Sequence, residues 1–118
     1  MCRSIMIKGM EALLTESLLS ARHHGVEQTV LDSLKDLFPR TDWQQLARYM
    51  LSRSVQHGVR RAEEMREAAQ TAAEAGVTPW MSRACVERQA WAATHQEALR
   101  REDLSAMLDN LLEERQSA

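Results

Sequence analysis

The stretch "RSVQHGVRRAEEMREAA" concentrates Arg53, His57, Arg60, Arg61, Glu63, Glu64 and Arg66 around one glycine, Gly58. Guanidinium forks match carboxylate and phosphate groups, which acid or sugar-acid substrates and dinucleotides carry. His57, Arg60 and Arg61 are therefore the candidate cleft residues of this segment. The plainer reading is a solvated, self-paired surface, since Arg60 and Glu64 stand four apart and support a helix by themselves. The apolar residues Val59, Ala62, Met65, Ala69 and Ala72 form a stripe beside the charges.

A second constellation lies at the start of the chain. Ser4, Lys8, Glu11 and Thr15 recur at spacings of four, three and four within "MCRSIMIKGMEALLTESLLSARHHG", which places them on one helical face. The rest of that segment is apolar nearly all round, so a narrow polar seam is expected to face solvent or a cleft. Ser4 and Lys8 are the candidate binding residues here. As a mere wet side, the seam would hold Lys8 and Glu11 as a surface ion pair worth roughly a few tenths of a kcal/mol.

Other chemistry finds little footing. His23 and His24 are adjacent and diverge on a helix, and no His-Glu-x-x-His occurs, so no metal site is expected. Cys2 and Cys85 cannot build a disulfide framework, and the apolar neighbours of Cys85 suggest an inert thiol. Gly9, Gly25, Gly58 and Gly76 stand too far apart for a dinucleotide fingerprint or a phosphate loop, so no cofactor is expected to bind this chain alone. Arg88 sits in the stripe Met81, Ala84, Cys85, Trp91, Ala92 and His95, and is expected to snorkel or pair with an acid. Trp43, Trp80 and Trp91 are expected to pack.

The elements that must position these residues are helical. Apolar residues recur at three and four throughout, helix formers dominate, and no period-two alternation supports strands, so the fold class is all-α with about six helices. The first helix is expected to end near His24 at Gly25, and a short second one to run from about Glu27 to Leu37 before Pro39. Thr41 and Asp42 open a third that continues to about His57, and Gly58 marks a break or kink before a charged helix over 59–75, closed by Gly76. In "GVTPW" Thr78 is expected to cap and Pro79 to start a fifth helix reaching about Leu99, followed by a last helix from Asp103 to about Arg115.

With 118 residues, 44% hydrophobic and 27% charged, the chain has globular rather than disordered balance and reads as one domain, 1–118. Fifteen Lys and Arg against 17 Asp and Glu leave a net charge of −2, so no overall field recruits nucleic acid or anionic lipid. Arg3, Lys8, Glu11 and Glu16 interrupt the opening segment, which excludes a signal peptide or a membrane span there. A cytoplasmic location fits.

The opening helix begins uncapped, although its first four N–H groups need partners. One turn back along the polar stripe lies the position before Met1, and the expectation is that an adjoining segment, carrying part of an active site, belongs there. The segments "MCRSIMIKGMEALLTESLLSARHHGV", "HGVRRAEEM" and "AGVTPWMSRA" resemble the C-terminal helical domain of the 6-phosphogluconate dehydrogenase and 3-hydroxyisobutyrate dehydrogenase superfamily, in its phosphogluconate dehydrogenase C-terminal-domain branch, over Met1 to about Trp91. In that superfamily the long helix begins with a catalytic lysine, followed four residues later by a substrate-binding asparagine. With the lysine placed before Met1, Ser4 occupies the asparagine position, so this chain carries serine there and holds no catalytic residue itself.

The resemblance implies a substrate-binding and dimerisation domain of an NAD(P)-dependent β-hydroxyacid or sugar-acid dehydrogenase, inactive alone. The parent would use NAD or NADP on an N-terminal dinucleotide-binding domain, take a small hydroxyacid, and form a homodimer. The superfamily's lysine-aspartate pair near the cofactor has no counterpart here, because Glu63, Glu64 and Met65 lie at that level. Two alternatives come from other classes: a helix-turn-helix DNA-binding regulator using "TDWQQLARYMLSRSVQHGVRRAEEM", disfavoured by the missing turn glycine, and a helical interaction module without catalysis.

Overall fold

Two glycines set the ends of the two longest helices. The computed structural model describes residues 1–117, and among them five α-helices, two short 3₁₀ segments and no strand are found, as the all-α reading expects. α1 (Cys2–His23) stops where Gly25 takes φ 71°, and α3 (Trp43–Glu74) stops where Gly76 takes φ 81°. Beyond each stop the chain bonds back onto the last turn, Val26 N to Ala21 O at 2.8 Å and Val77 N to Ala72 O at 3.0 Å, which satisfies carbonyls left over at a helix end. Glycine adopts this left-handed backbone without a Cβ penalty.

Other boundaries move by a few residues. α2 (Glu27–Ser33) ends before Leu37, because the chain tightens into a 3₁₀ turn over Leu34–Asp36. Asp42, not Thr41, caps α3, accepting from Gln45 N at 3.1 Å. Pro39 precedes the cap and Thr41 lies just outside it. α4 (Trp80–Ala92) has Pro79 at its cap position without a side-chain cap bond, so Thr78 is not the cap.

α4 also ends well short of Leu99. Thr94 Oγ1 donates to Trp91 O at 2.7 Å and Gln96 Nε2 to Ala93 O at 3.0 Å, so side chains take carbonyls that another helical turn would use. A 3₁₀ segment, Gln96–Arg100, follows and α5 (Leu104–Ser117) comes last.

α3 consists of two helical stretches that meet at a kink, where the backbone departs from helical geometry at His57 (φ −120°, ψ 16°), beside the Gly58 break or kink that the sequence leads one to expect. Gln96 Nε2 donates to Val55 O at 2.7 Å, satisfying a carbonyl beside the kink. A helix-turn-helix reading of the same stretch gains no support from this kink. Beyond the kink, Gly58, Arg61, Ala62, Met65 and Ala68 point inward while Val59, expected in the apolar stripe, is exposed.

The core has two parts. Leu18, Leu31, Leu51, Leu104, Met107 and Leu108 anchor the larger one, built by α1, α2, α5 and the first half of α3. Beyond the kink, Ala62, Met65 and Ala68 pack against Cys85 and Val86 of α4. Arg22 fastens α1 to α5 by donating to both Asp109 oxygens, at 2.7 and 2.9 Å, and to α2 through Glu27. Its guanidinium holds the Asp109 carboxyl below the usual carboxylate range. Trp43 is buried, but Trp80 is 74% exposed, which corrects the expectation that all three tryptophans pack. Among the described residues no helix is long and apolar enough to cross a membrane.

Candidate functional site

The polar seam of α1 turns inward rather than to open water. Glu11 and Thr15 are only 2% and 1% exposed, and the seam faces the turn of α3 that follows the kink. Burying a carboxylate requires full compensation. Glu11 receives it from Arg61, whose Nε and Nη2 donate at 2.8 and 3.1 Å, and from Gln89 Nε2 at 3.1 Å. Gln89, itself fully buried on α4, also donates to Lys8 O at 3.1 Å, and Cys85 Sγ donates to the same carbonyl at 3.2 Å. Thr15 Oγ1 donates to Glu11 O at 2.8 Å. One polar knot therefore locks α1, α3 and α4 together.

Directly beside this knot, Lys8 and Arg60 converge on Glu64. Lys8 Nζ lies 3.5 Å from Glu64 Oε2, and Arg60 Nε lies 3.3 Å from Glu64 Oε1. The i,i+4 pair Arg60 with Glu64 was legible in the sequence. The surface pair of Lys8 with Glu11 is not what forms, because Glu11 is committed to Arg61 inside the fold. Lys8, Arg60 and Arg61 face Glu11 and Glu64, three cations against two carboxylates, so the cluster keeps one surplus positive charge before Arg53 is counted.

His57 reports that field from the kink. Burial pushes its ring below the ordinary histidine pKa, and Arg53, Arg60 and Arg61 add repulsion that Glu11 only partly offsets. Ser4 is half-buried on the same face of α1, one turn before Lys8. Of the candidate residues, Lys8 and Arg60 meet at one carboxylate, and Ser4 and His57 flank them on their own helices. Arg61 is a correction: 6% exposed and spent on Glu11, it clamps the fold rather than presenting a fork to a cleft. Gln89 was missed. Gln89 carries no charge to draw attention, and the buried face of α4 (Ser82, Cys85, Val86, Gln89, Ala92) is turned from the stripe expected through Met81.

Nucleophilic chemistry at Cys85 is disfavoured, because burial pushes its thiol up to about 11. In a thiol-labelling experiment at pH 7.5, exposed Cys2 is expected to react at once and Cys85 only on unfolding. Two thiols reacting at the same rate in the folded chain would contradict this packing. Among the described residues no group of three or more His, Cys, Asp and Glu is placed to hold a metal ion.

Two concavities are lined by other residues and include none of Ser4, Lys8, His57, Arg60, Arg61 or Glu64. One of about 590 Å³ is bounded by α1, α4 and α5 and includes His23, Arg88, Trp91 and His95. Arg88 there donates to Glu16 at 2.6 Å and stacks over Trp91 at 4.9 Å, the structural role expected of it. A groove of about 300 Å³ between α1 and α4 is apolar, with Met6, Leu13 and Met81 on its exposed lips.

A family model described as "Domain of unknown function (DUF1932)" matches residues 21–92, a span that holds the kink and the charged turn of α3 but not Ser4, Lys8 or Glu11. Among solved structures, the chain is similar to the crystal structure of a conserved hypothetical protein from Sinorhizobium meliloti 1021, with 42% identity over 95% of this chain and a TM-score of 0.79. The chain spans 38% of the length of that protein. No curated protein matches it.

Proposed function

Starting from a chain that belongs to the DUF1932 domain family, we propose that it is the substrate-binding and dimerisation domain of an NAD(P)-dependent β-hydroxyacid or sugar-acid dehydrogenase, cytoplasmic and inactive by itself. The observation that carries this reading is the convergence of Lys8 from α1 and Arg60 from α3, with a surplus positive charge, on the face that also bears Ser4. A buried ion pair fixes the backbone behind both cations, so the helix positions that carry them are set before a ligand arrives. Such a pair suits the carboxylate of a small hydroxyacid, and the Ser4 hydroxyl can donate to a substrate oxygen.

The chain's own glycines make no cradle for a dinucleotide: Gly25 and Gly76 are helix stops, and Gly58 packs against α4. NAD or NADP, which would accept the hydride, is assigned to an N-terminal dinucleotide-binding domain, for which the larger size of the Sinorhizobium meliloti relative leaves room. The catalytic lysine is likewise assigned to sequence before Met1. This chain's part is to hold the acid group, shield it from water, and pair with a second copy through the exposed apolar residues Met6, Leu13 and Met81 beside the α1/α4 groove.

The test joins the chain to its natural upstream coding sequence and follows nicotinamide reduction over a panel of β-hydroxyacids. Turnover is expected, with Arg60→Met raising KM about tenfold or more and changing kcat less, because it removes binding that substrate and transition state share. Sedimentation should show a dimer. Absence of turnover, together with an upstream region lacking a glycine-rich strand-turn-helix, would leave the dehydrogenase reading without support.

A further inference from the structure

We propose that Glu64 is a resident competitor in this anion site: its carboxylate bridges Lys8 and Arg60 in the empty domain and is displaced when a ligand carboxylate arrives. The inference rests on the reading of the cluster as an acid-binding site and adds how that site is kept and opened. Its geometry separates Glu64 from the other acid of the cluster. Glu11 is 2% exposed and receives three donors at 2.8, 3.1 and 3.1 Å, so it cannot leave. Glu64 has a side chain 33% exposed and meets its two cations at 3.5 and 3.3 Å, longer than the 2.7–2.9 Å typical of tight charged pairs.

What is fixed is the backbone that carries the two cations, the Lys8 side chain being 14% exposed and that of Arg60 61%. The α1 backbone at Lys8 is gripped through its carbonyl by Cys85 and Gln89, and Arg60 adjoins Arg61, which Glu11 clamps. Glu64 can therefore rotate away while Lys8 and Arg60 keep their backbone positions. A half-exposed pair of this kind is worth a factor of about 1.5 to 5 in an equilibrium, which a ligand carboxylate can match. An internal carboxylate in the same place also sets a threshold: a weakly held inorganic anion gains little by replacing it, whereas a ligand with a second anchor, such as a hydroxyl near Ser4, gains more. The shared chemistry is an oxyanion, and its source could be the carboxylate of an acid or a phosphate. The two-point bridge by one planar carboxylate, Oε1 to Arg60 and Oε2 to Lys8, favours the acid.

The experiment titrates the chain at low ionic strength with 3-hydroxypropionate and, separately, with inorganic phosphate, following the His57 ring signals by NMR. His57 titrates below the ordinary histidine range in the ligand-free chain and should move up when an anion offsets the neighbouring arginines. Glu64→Gln keeps the shape and removes the competitor, and is expected to tighten 3-hydroxypropionate about two- to fivefold. Arg60→Met is expected to abolish the shift, with an unchanged circular dichroism spectrum. Binding by Glu64→Gln that equals or falls below that of the unaltered chain, or an unaffected Arg60→Met, would overturn the proposal. Phosphate binding tighter than 3-hydroxypropionate would overturn the carboxylate assignment. Because no turnover is measured, failure here and failure of the dehydrogenase reading are separate results.

Discussion

Glu11→Ala is expected to destabilise the chain by about 3–5 kcal/mol, which urea titration of the folded signal would measure. The cause is what the substitution leaves behind. Arg61 has a side chain 8% exposed, and both of its bonded nitrogens point at Glu11. With the carboxylate gone, a guanidinium stays buried without its acceptor, and that desolvation cost far exceeds the loss of an ordinary surface pair. The same logic predicts rescue. Glu11→Leu combined with Arg61→Met removes both charges, fills similar volume, and is expected to recover most of the lost stability. If the double variant is as unstable as the single one, the pair is not the origin of the effect. Gln89 should be spared in either case, since its Nε2 also reaches Lys8 O.

The contrast with Glu64 explains how far the sequence could be read. Spacing alone placed Ser4, Lys8, Glu11 and Thr15 on one face and put Arg60 beside Glu64, because helical periodicity is local. It could not say which acid each cation would choose. Lys8 stands three residues from Glu11 and yet pairs with Glu64, a choice made by how α1 lies against α3 rather than by either helix. Gly25 and Gly76 announced their helix ends, since a left-handed residue is a chemical requirement. The end of α4 was hidden, because Thr94 and Gln96 stop it with side-chain bonds that no periodic pattern encodes. The kink beside Gly58 was legible, but the inward face beyond it was not: Gly58 and Arg61 lie on that face and Val59 does not, so the stripe counted from Val59 misplaced its first member.

That kink is also where a single methyl group should matter most. Gly58→Ala would set a Cβ 2.2 Å from Gln89 O and 2.9 Å from Ala93 Cβ, both on or next to the backbone of α4, so no flexible side chain can yield. The expected result is a loss of about 2–3 kcal/mol or more, even though alanine is the better helix former by about 1 kcal/mol. α4 must back away, and Gln89 moves with it, loosening the bonds to Lys8 O and Glu11. The functional consequence should therefore accompany the unfolding one: 3-hydroxypropionate binding should weaken although no group near Lys8 or Arg60 has been altered. Gly9→Ala is the matched comparison, a mid-helix glycine whose added Cβ meets nothing within 4 Å. It should stabilise the chain by up to about 1 kcal/mol. Equal effects from the two substitutions would mean that the close approach of α3 and α4 does not hold the kink, and that the positions of Arg60 and His57 are set by something other than this contact.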